Sequence, residues 1–325
     1  MSEIKIGILM DPISDIHVYK DTSFAMLLAF QTRNYELYYM EASDIFLQNG
    51  EVHAFMRRLR VKDNASFWFE LNDSYVQSLD KLDILLMRKE PPFNMSYIYL
   101  TYLLELAEKR GLLVVNKPAS LRDANEKLFA SWFPQCIPRT LVTSHKELLK
   151  KFLQEQKEII IKPLGEMAGK SIFRLTTRDP NALVVMDIMT ANGKRLVMAQ
   201  KFITAIKNGD KRIILINGEP VPYSLARIPA KGDFRGNLAA KARWEGRELT
   251  DRDRWICQQV APVLRQKGLW FVGLDVIGDY LTEINVTSPT GIRELETQFK
   301  INIADQFVDF LQNNLTIHGK LPKSF

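Results

Sequence analysis

The sequence predicts an α/β protein of more than one lobe, and three observations predict it. Strand and helix patterns alternate over about the first 120 residues, as in a parallel sheet with helices on its faces. At 325 residues and 46% hydrophobic content, the chain can bury more than one core. Late in the chain, two apolar runs flank Gly278 and Asp279 as a β-hairpin, with Asp275, Glu283 and Asn285 set into them.

Taken in order, residues 4–10 read as a buried strand. Residues 22–32 read as a helix with Phe24, Leu27, Leu28 and Phe30 at helical spacing, and 36–41 as a second strand. Asn49-Gly50 predicts a hairpin turn between 45–47 and 52–55. Residues 84–87 and 112–115 bracket a helix over 97–108. Ligands of such sheets gather at the carboxyl ends of strands, where Met10, Asp11 and the run from Arg88 to Pro92 fall. This first lobe is assigned to 1–123.

A second lobe is assigned to 124–203. It is read as a helix over 125–133, strands over 140–143, 159–163, 171–175 and 196–202, and a helix over 181–190. A further helix is expected to open at Ser144, whose spacing to Glu147 is that of a capping box. The third lobe, 204–317, starts with a hairpin turning at Asn217-Gly218 and contains the carboxylate hairpin. Residues 229–249 read as a long polar loop, a length that in compact domains marks function or disorder. Residues 318–325 read as a weakly held tail.

Composition narrows the class. No apolar run approaches a membrane span, and the N-terminus enters a strand pattern without a signal peptide's long apolar stretch. Cys136 and Cys257, far apart, argue against a disulfide framework and for a reducing, cytoplasmic setting. The net charge of +6 comes from scattered lysines and arginines rather than a basic arm, so small anionic substrates are expected and nucleic acid is not. His17, His53, His145 and His318 show no ligand pairing.

The chemistry concentrates late in the chain. Glu283 and Asn285, two apart on a strand, share a face. If the hairpin loop spans Gly278, Asp279 and Tyr280, Asp275 sits directly across from Glu283. Carboxylates that close require a cation, and oxygen-only ligands suit magnesium shared with phosphates. A solvated strand face is the plainer alternative. Lys162 ends an apolar strand before Pro163, facing a loop that contains Gly165, Gly169 and Ser171. That loop reads equally as a phosphate cradle or as a simple turn. Arg212, Arg227 and Arg235, ahead of the hairpin, match carboxylates and phosphates with their planar forks. Ser288 has no histidine base in view and is not expected to be a nucleophile.

Blocks in one order along the whole chain then become recognisable. Among them are Met10-Asp11-Pro12-Ile13, Leu86-Met87-Arg88-Lys89, Asn116-Lys117-Pro118, Leu225-Ala226-Arg227-Ile228-Pro229 and the run from Thr282 to Pro289. On these the chain resembles the prokaryotic-type glutathione synthetases of the ATP-grasp superfamily. The resemblance implies an ATP-grasp fold with an N-terminal parallel-sheet domain. It implies ATP-dependent ligation of γ-glutamylcysteine to glycine through an acyl phosphate, with ATP and Mg2+ (Mn2+ as an alternative). Lys127 and Lys162 would hold phosphates, Gln200, Lys201, Phe202 and Ile203 would meet the adenine by their backbone, and Asp210 would lie near the nucleotide. Asp275, Glu283 and Asn285 would bind the metal. Arg212 and Arg227 would face the acyl phosphate, while Arg235, Asn237 and Ser288 would hold glycine. A homo-oligomer, tetramer or dimer, is implied as well.

The chain departs from the family's glycine-rich pattern. Ala168 stands where a glycine is expected, and Lys241, Ala242 and Trp244 replace a glycine-rich stretch. Glycines permit the positive φ that a hinged lid uses, so altered closure is expected. A different amine acceptor, or a nucleotide-binding paralogue without turnover, are the alternative readings.

Overall fold

The computed structural model describes residues 4–165, 171–230, 232–233 and 243–317. The first 123 residues build a mixed sheet from β1 (Lys5–Leu9), β2 (Glu36–Met40), β3 (Ile45–Gln48), β4 (Glu51–Val61), β5 (Phe69–Leu71), β6 (Tyr75–Ser78), β7 (Ile84–Met87) and β8 (Leu113–Val115). Its central strands β2, β1, β7 and β8 run parallel, as the alternation predicts. The departure is β4, an eleven-residue strand that pairs antiparallel with β2, β3, β5 and β6. The sheet is therefore parallel only through its middle. Helices α1 (Thr22–Thr32), α2 (Met95–Glu108) and α3 (Pro118–Asp123) complete this part. Asp21 caps α1 by accepting the Phe24 amide at 2.7 Å.

The next sheet is antiparallel, in the order β11 (Phe173–Thr176), β10 (Glu158–Pro163), β12 (Val197–Lys201), β9 (Thr140–Thr143). Helices α4 (Lys146–Gln156) and α5 (Ala182–Thr190) bury Leu149, Leu153, Met186 and Met189 against it. The capping box expected at Ser144 is not formed. The N-cap of α4 is His145, with no side-chain cap, and the Thr143 hydroxyl accepts the His145 amide instead.

The helix expected over 125–133 is reduced to a short 3-10 turn, Phe129–Trp132. Glu126 is the reason. Its carbonyl accepts the Ile284 amide, and one carboxylate oxygen accepts the amides of Val286 and Thr287 and the Thr287 hydroxyl. The segment thus extends the edge of the C-terminal sheet, and tertiary hydrogen bonding overrides local propensity.

That C-terminal sheet is antiparallel, in the order β15 (Arg243–Glu248), β14 (Glu219–Ile228), β13 (Asp210–Ile216), β16 (Phe271–Ile277), β17 (Tyr280–Asn285). It packs with α6 (Asp251–Gln266), α7 (Ile292–Phe299) and α8 (Ile303–Ile317). Strand β15 corrects the expectation of an unbroken loop over 229–249. Trp244 and Glu245 sit in register with Arg227 and Ala226, so Trp244 belongs to a strand rather than to a loop. Gln298 completes this charged edge strand, accepting the Gly246 amide at 2.7 Å and donating to its carbonyl at 3.1 Å.

A buried amide ties the first sheet to the last. Asn116, just after β8, donates to the carbonyls of Phe271 and Val286 at 2.8 Å each. Its side-chain oxygen accepts the amides of Trp270 and Phe271 at 2.8 and 3.0 Å. Among the described residues, no helix is long and apolar enough to cross a membrane.

Candidate active site

The carboxylate hairpin forms, by a different route from the one expected. The turn is the two residues Gly278 and Asp279, and Ile277 pairs with Tyr280. A bulge between Asp275 and Val276 then shifts the register by one and brings Asp275 opposite Glu283. Without that bulge, a two-residue turn would set Asp275 against Thr282. Thr282 is the extra residue, and its hydroxyl donates to the Asp275 carbonyl at 3.1 Å.

Asp275, Glu283 and Asn285 line a cleft of ≈ 280 Å³ between the central and C-terminal sheets. Lys127, Lys162, Arg212 and Arg227 line it too, with Asp210 and Ser288. At its apolar end lie Gln200, Lys201, Phe202 and Ile203, joined by Ile160, Ile172, Ile206 and Ile277. The Lys201 and Phe202 amides are donated to the carbonyls of Arg139 and Glu158. A backbone contact to an adenine would therefore fall to their carbonyls or to Ile203. Gly165 and Ser171 are not part of the lining; Ser171 is exposed with φ 55°, and Ile172 faces the cleft in its place. Gly169, Arg235 and Asn237, with Ala168, Lys241 and Ala242, lie outside the described residues. Glu90 and Glu126 line the cleft as well; Glu90 falls in the run from Arg88 to Pro92 expected at a strand end, whereas nothing in its residue type or spacing marks Glu126.

The charges are matched in two sets. Arg212 holds Asp275 through both oxygens, Nε at 2.5 Å and Nη2 at 3.0 Å, and Arg227 adds a contact at 3.0 Å. Arg227 also pairs with Asp210. Lys162 and Lys127 flank Glu283 at 3.2 and 4.0 Å. Burial on its own would raise both carboxyls. The two arginines nevertheless hold Asp275 well below the usual carboxylate range, and the two lysines hold Glu283 below its own. Asp210 goes the other way: burial and the nearby Asp275 push it up to about 6 against the pull of Arg227.

This donor set fits a magnesium ion shared with a polyphosphate. Among the described residues no group of three or more His, Cys, Asp or Glu converges, so the oxygen donors are two carboxylates and the Asn285 amide. Magnesium takes one or two carboxylates and completes its shell with phosphates and water. Asn285 donates its Nδ2 to the Gly273 carbonyl at 3.2 Å, which assigns the amide oxygen as the remaining donor atom. Oδ1 of Asp210 is buried without a hydrogen-bond partner among the described residues, as is Nε of Arg227. Such orphaned atoms are costly unless a ligand meets them.

Comparison with known proteins follows the same lines. The family model for the N-terminal domain of prokaryotic glutathione synthetase matches residues 4–122, and that for its ATP-grasp domain matches 126–300. The chain belongs to the prokaryotic glutathione synthetase family. It is 69% identical to the glutathione synthetase of Coxiella burnetii over 309 residues, covering 95% of this chain and 96% of that one. Identity to the Escherichia coli K12 glutathione synthetase is 54% over 312 residues, covering 96% and 99%. Among solved structures, D-cycloserine synthetase DcsG shares the fold at TM-score 0.67 and 14% identity, over 95% of this chain and 99% of that one. The ATP-grasp ligase PsnB, complexed with minimal precursor, Mg and ADP, matches at TM-score 0.62 and 16% identity, over 95% and 97%. These two likenesses concern the fold alone. The chain is thus an ATP-dependent ligase by family, with an ATP-grasp architecture.

Proposed function

We propose that this chain joins γ-glutamylcysteine to glycine at the expense of ATP, forming glutathione, ADP and phosphate. The observation that carries the reading is the cleft, where two arginines and two lysines hold two carboxylates across a single hairpin. Family membership supplies the substrate class.

The site's own residues account for the steps. Lys127 and Lys162 would turn from Glu283 to the phosphates of a bound triphosphate, and Glu283, with Asp275 and Asn285, would hold the magnesium ion. When bound, that ion supplies a Lewis acid that neutralises charge on the transferring phosphoryl group. Arg212 and Arg227 orient the dipeptide's cysteinyl carboxylate, whose oxygen bonds to the γ-phosphorus as the bond to ADP breaks. The acyl phosphate that results carries its negative charge beside both guanidiniums. The amine of glycine, after losing a proton, adds to the acyl carbon, and phosphate leaves with the former carboxylate oxygen. Ser288, at the rim of the same cleft, is assigned to the glycine carboxylate. The apolar end of the cleft, with Ile160, Phe202 and Ile277, is assigned to the adenine.

The oxygen balance is testable. γ-Glutamylcysteine labelled with 18O in its cysteinyl carboxylate should deliver one labelled oxygen to each phosphate released. Unlabelled phosphate would mean hydrolysis of ATP by water, and the ligase reading would fail.

A further inference from the structure

Glu126 lines the cleft without a part in the steps above, and its hydrogen bonds enclose one of the proposed metal ligands. Asn285 ends β17, the last strand of its sheet, which pairs with β16 on one side. On the other side Glu126 takes the place of a neighbouring strand. Its main-chain carbonyl accepts the amide of Ile284, the residue before Asn285, at 2.8 Å. Its side chain accepts the amide of Val286, the residue after, at 2.9 Å. Asn285 is therefore bracketed by two bonds from a single residue, one from the main chain and one from the carboxylate.

The carboxylate also continues past that point. The same oxygen accepts the Thr287 amide at 3.0 Å and the Thr287 hydroxyl at 2.8 Å. Val286 and Thr287 are buried, so without this acceptor their amides would be left unsatisfied. Three donors on one oxygen also leave it no lone pair for a metal ion.

Glu126 is itself held in place. The Asn125 side-chain oxygen accepts the amides of Lys127 and Leu128, and Asn125 Nδ2 donates to the Leu164 carbonyl at 3.0 Å. The Phe129 amide donates to the Asn125 carbonyl at 2.8 Å. Glu126 thus sits in a closed turn whose next residue is Lys127, assigned above to the phosphates. The same turn carries a phosphate lysine and fixes the strand end that carries a metal ligand.

We propose that Glu126 is a positioning residue for the metal: it fixes the end of β17 so that the Asn285 amide oxygen faces the ion beside the phosphates that Lys127 holds. The inference rests on the metal assignment made above. Partners of this outer kind change metal affinity about 10–100-fold when they are removed.

The test compares Glu126→Ala with Glu126→Gln, which loses the charge but keeps an acceptor oxygen of the same reach. Calorimetric dissociation constants for ADP are measured without metal and over a series of magnesium concentrations. The magnesium concentration giving half of its full effect on ADP should rise at least about 10-fold in Glu126→Ala. ADP without metal should bind that variant no more than about 3-fold more weakly, and Glu126→Gln should stay within about 3-fold of the native chain on both measures. An unchanged magnesium requirement in Glu126→Ala would overturn the proposal. So would an equal rise in Glu126→Gln, which would make the carboxylate's charge the cause, or an equal loss of metal-free ADP binding, which would mark general damage to the cleft. If the alanine variant does not fold, Glu126→Asp takes its place, with the charge kept and the side chain one methylene shorter; a native magnesium requirement there would overturn the proposal. A native chain whose ADP affinity ignores magnesium would overturn the metal assignment and this inference with it, whereas a magnesium effect untouched by the variants overturns this inference alone. Glutathione formation is no part of the readout, so the ligase reading stands or falls separately.

Discussion

Glu283→Gln should lower ATP-dependent phosphate release by at least about 100-fold, the scale on which a single preorganised electrostatic group acts in a transition state. Two effects add. The neutral amide is a weaker magnesium ligand than the carboxylate it replaces, and Lys127 and Lys162, 6% and 4% exposed, lose the carboxylate between them. Removing one partner of a buried ion pair costs about 3–5 kcal/mol, so the nucleotide-free variant should also melt at a lower temperature. Polyphosphate restores an anion to the lysines, and ADP should therefore raise the melting temperature of the variant more than that of the native chain. Native rates in Glu283→Gln, measured by phosphate release at saturating magnesium, would contradict the metal assignment.

The largest purely structural effect is expected at Asn116. Its side chain makes four hydrogen bonds, to the carbonyls of Phe271 and Val286 and from the amides of Trp270 and Phe271, at 4% exposure. Asn116→Ala leaves those backbone groups without partners between two sheets. An unsatisfied buried group costs about 1–3 kcal/mol, and with partial relaxation the total should be about 4 kcal/mol of stability by urea denaturation. Asn116→Asp should be no better, since a carboxylate facing two carbonyls is repelled by both. A loss below about 1 kcal/mol in both variants would show that the two sheets are not joined through this amide. Because β16 and β17 carry Asp275 and Glu283, the same variants should weaken nucleotide binding at a distance.

Much of the fold was legible because local signals and tertiary packing agree. Helix α1 runs over the predicted 22–32, and the turns at Asn49-Gly50 and Asn217-Gly218 form where their positive φ requires, with Asn49 at 50° and Gly50 at 80°. The pairing of Asp275 with Glu283 was also anticipated, though from a three-residue loop. A bulge cannot be read from alternation alone, because it leaves the apolar pattern on either side intact. Three errors share a cause. The helix over 125–133, the cap at Ser144 and the loop in place of β15 all follow from local sequence alone. Glu126 is held by β17 and the residues after it, while β15 is an edge strand whose charges face solvent and whose open side is met by Gln298. Asn116 stands in a recognisable block, yet its role depends on elements more than 150 positions away. No periodicity encodes that.

The most direct measurement is the stoichiometry of phosphate and glutathione from the purified chain, given magnesium-ATP and γ-glutamylcysteine, with and without glycine. The account predicts phosphate release that depends on glycine and is matched one for one by glutathione identified by mass. Phosphate that appears without glycine and without peptide would contradict it.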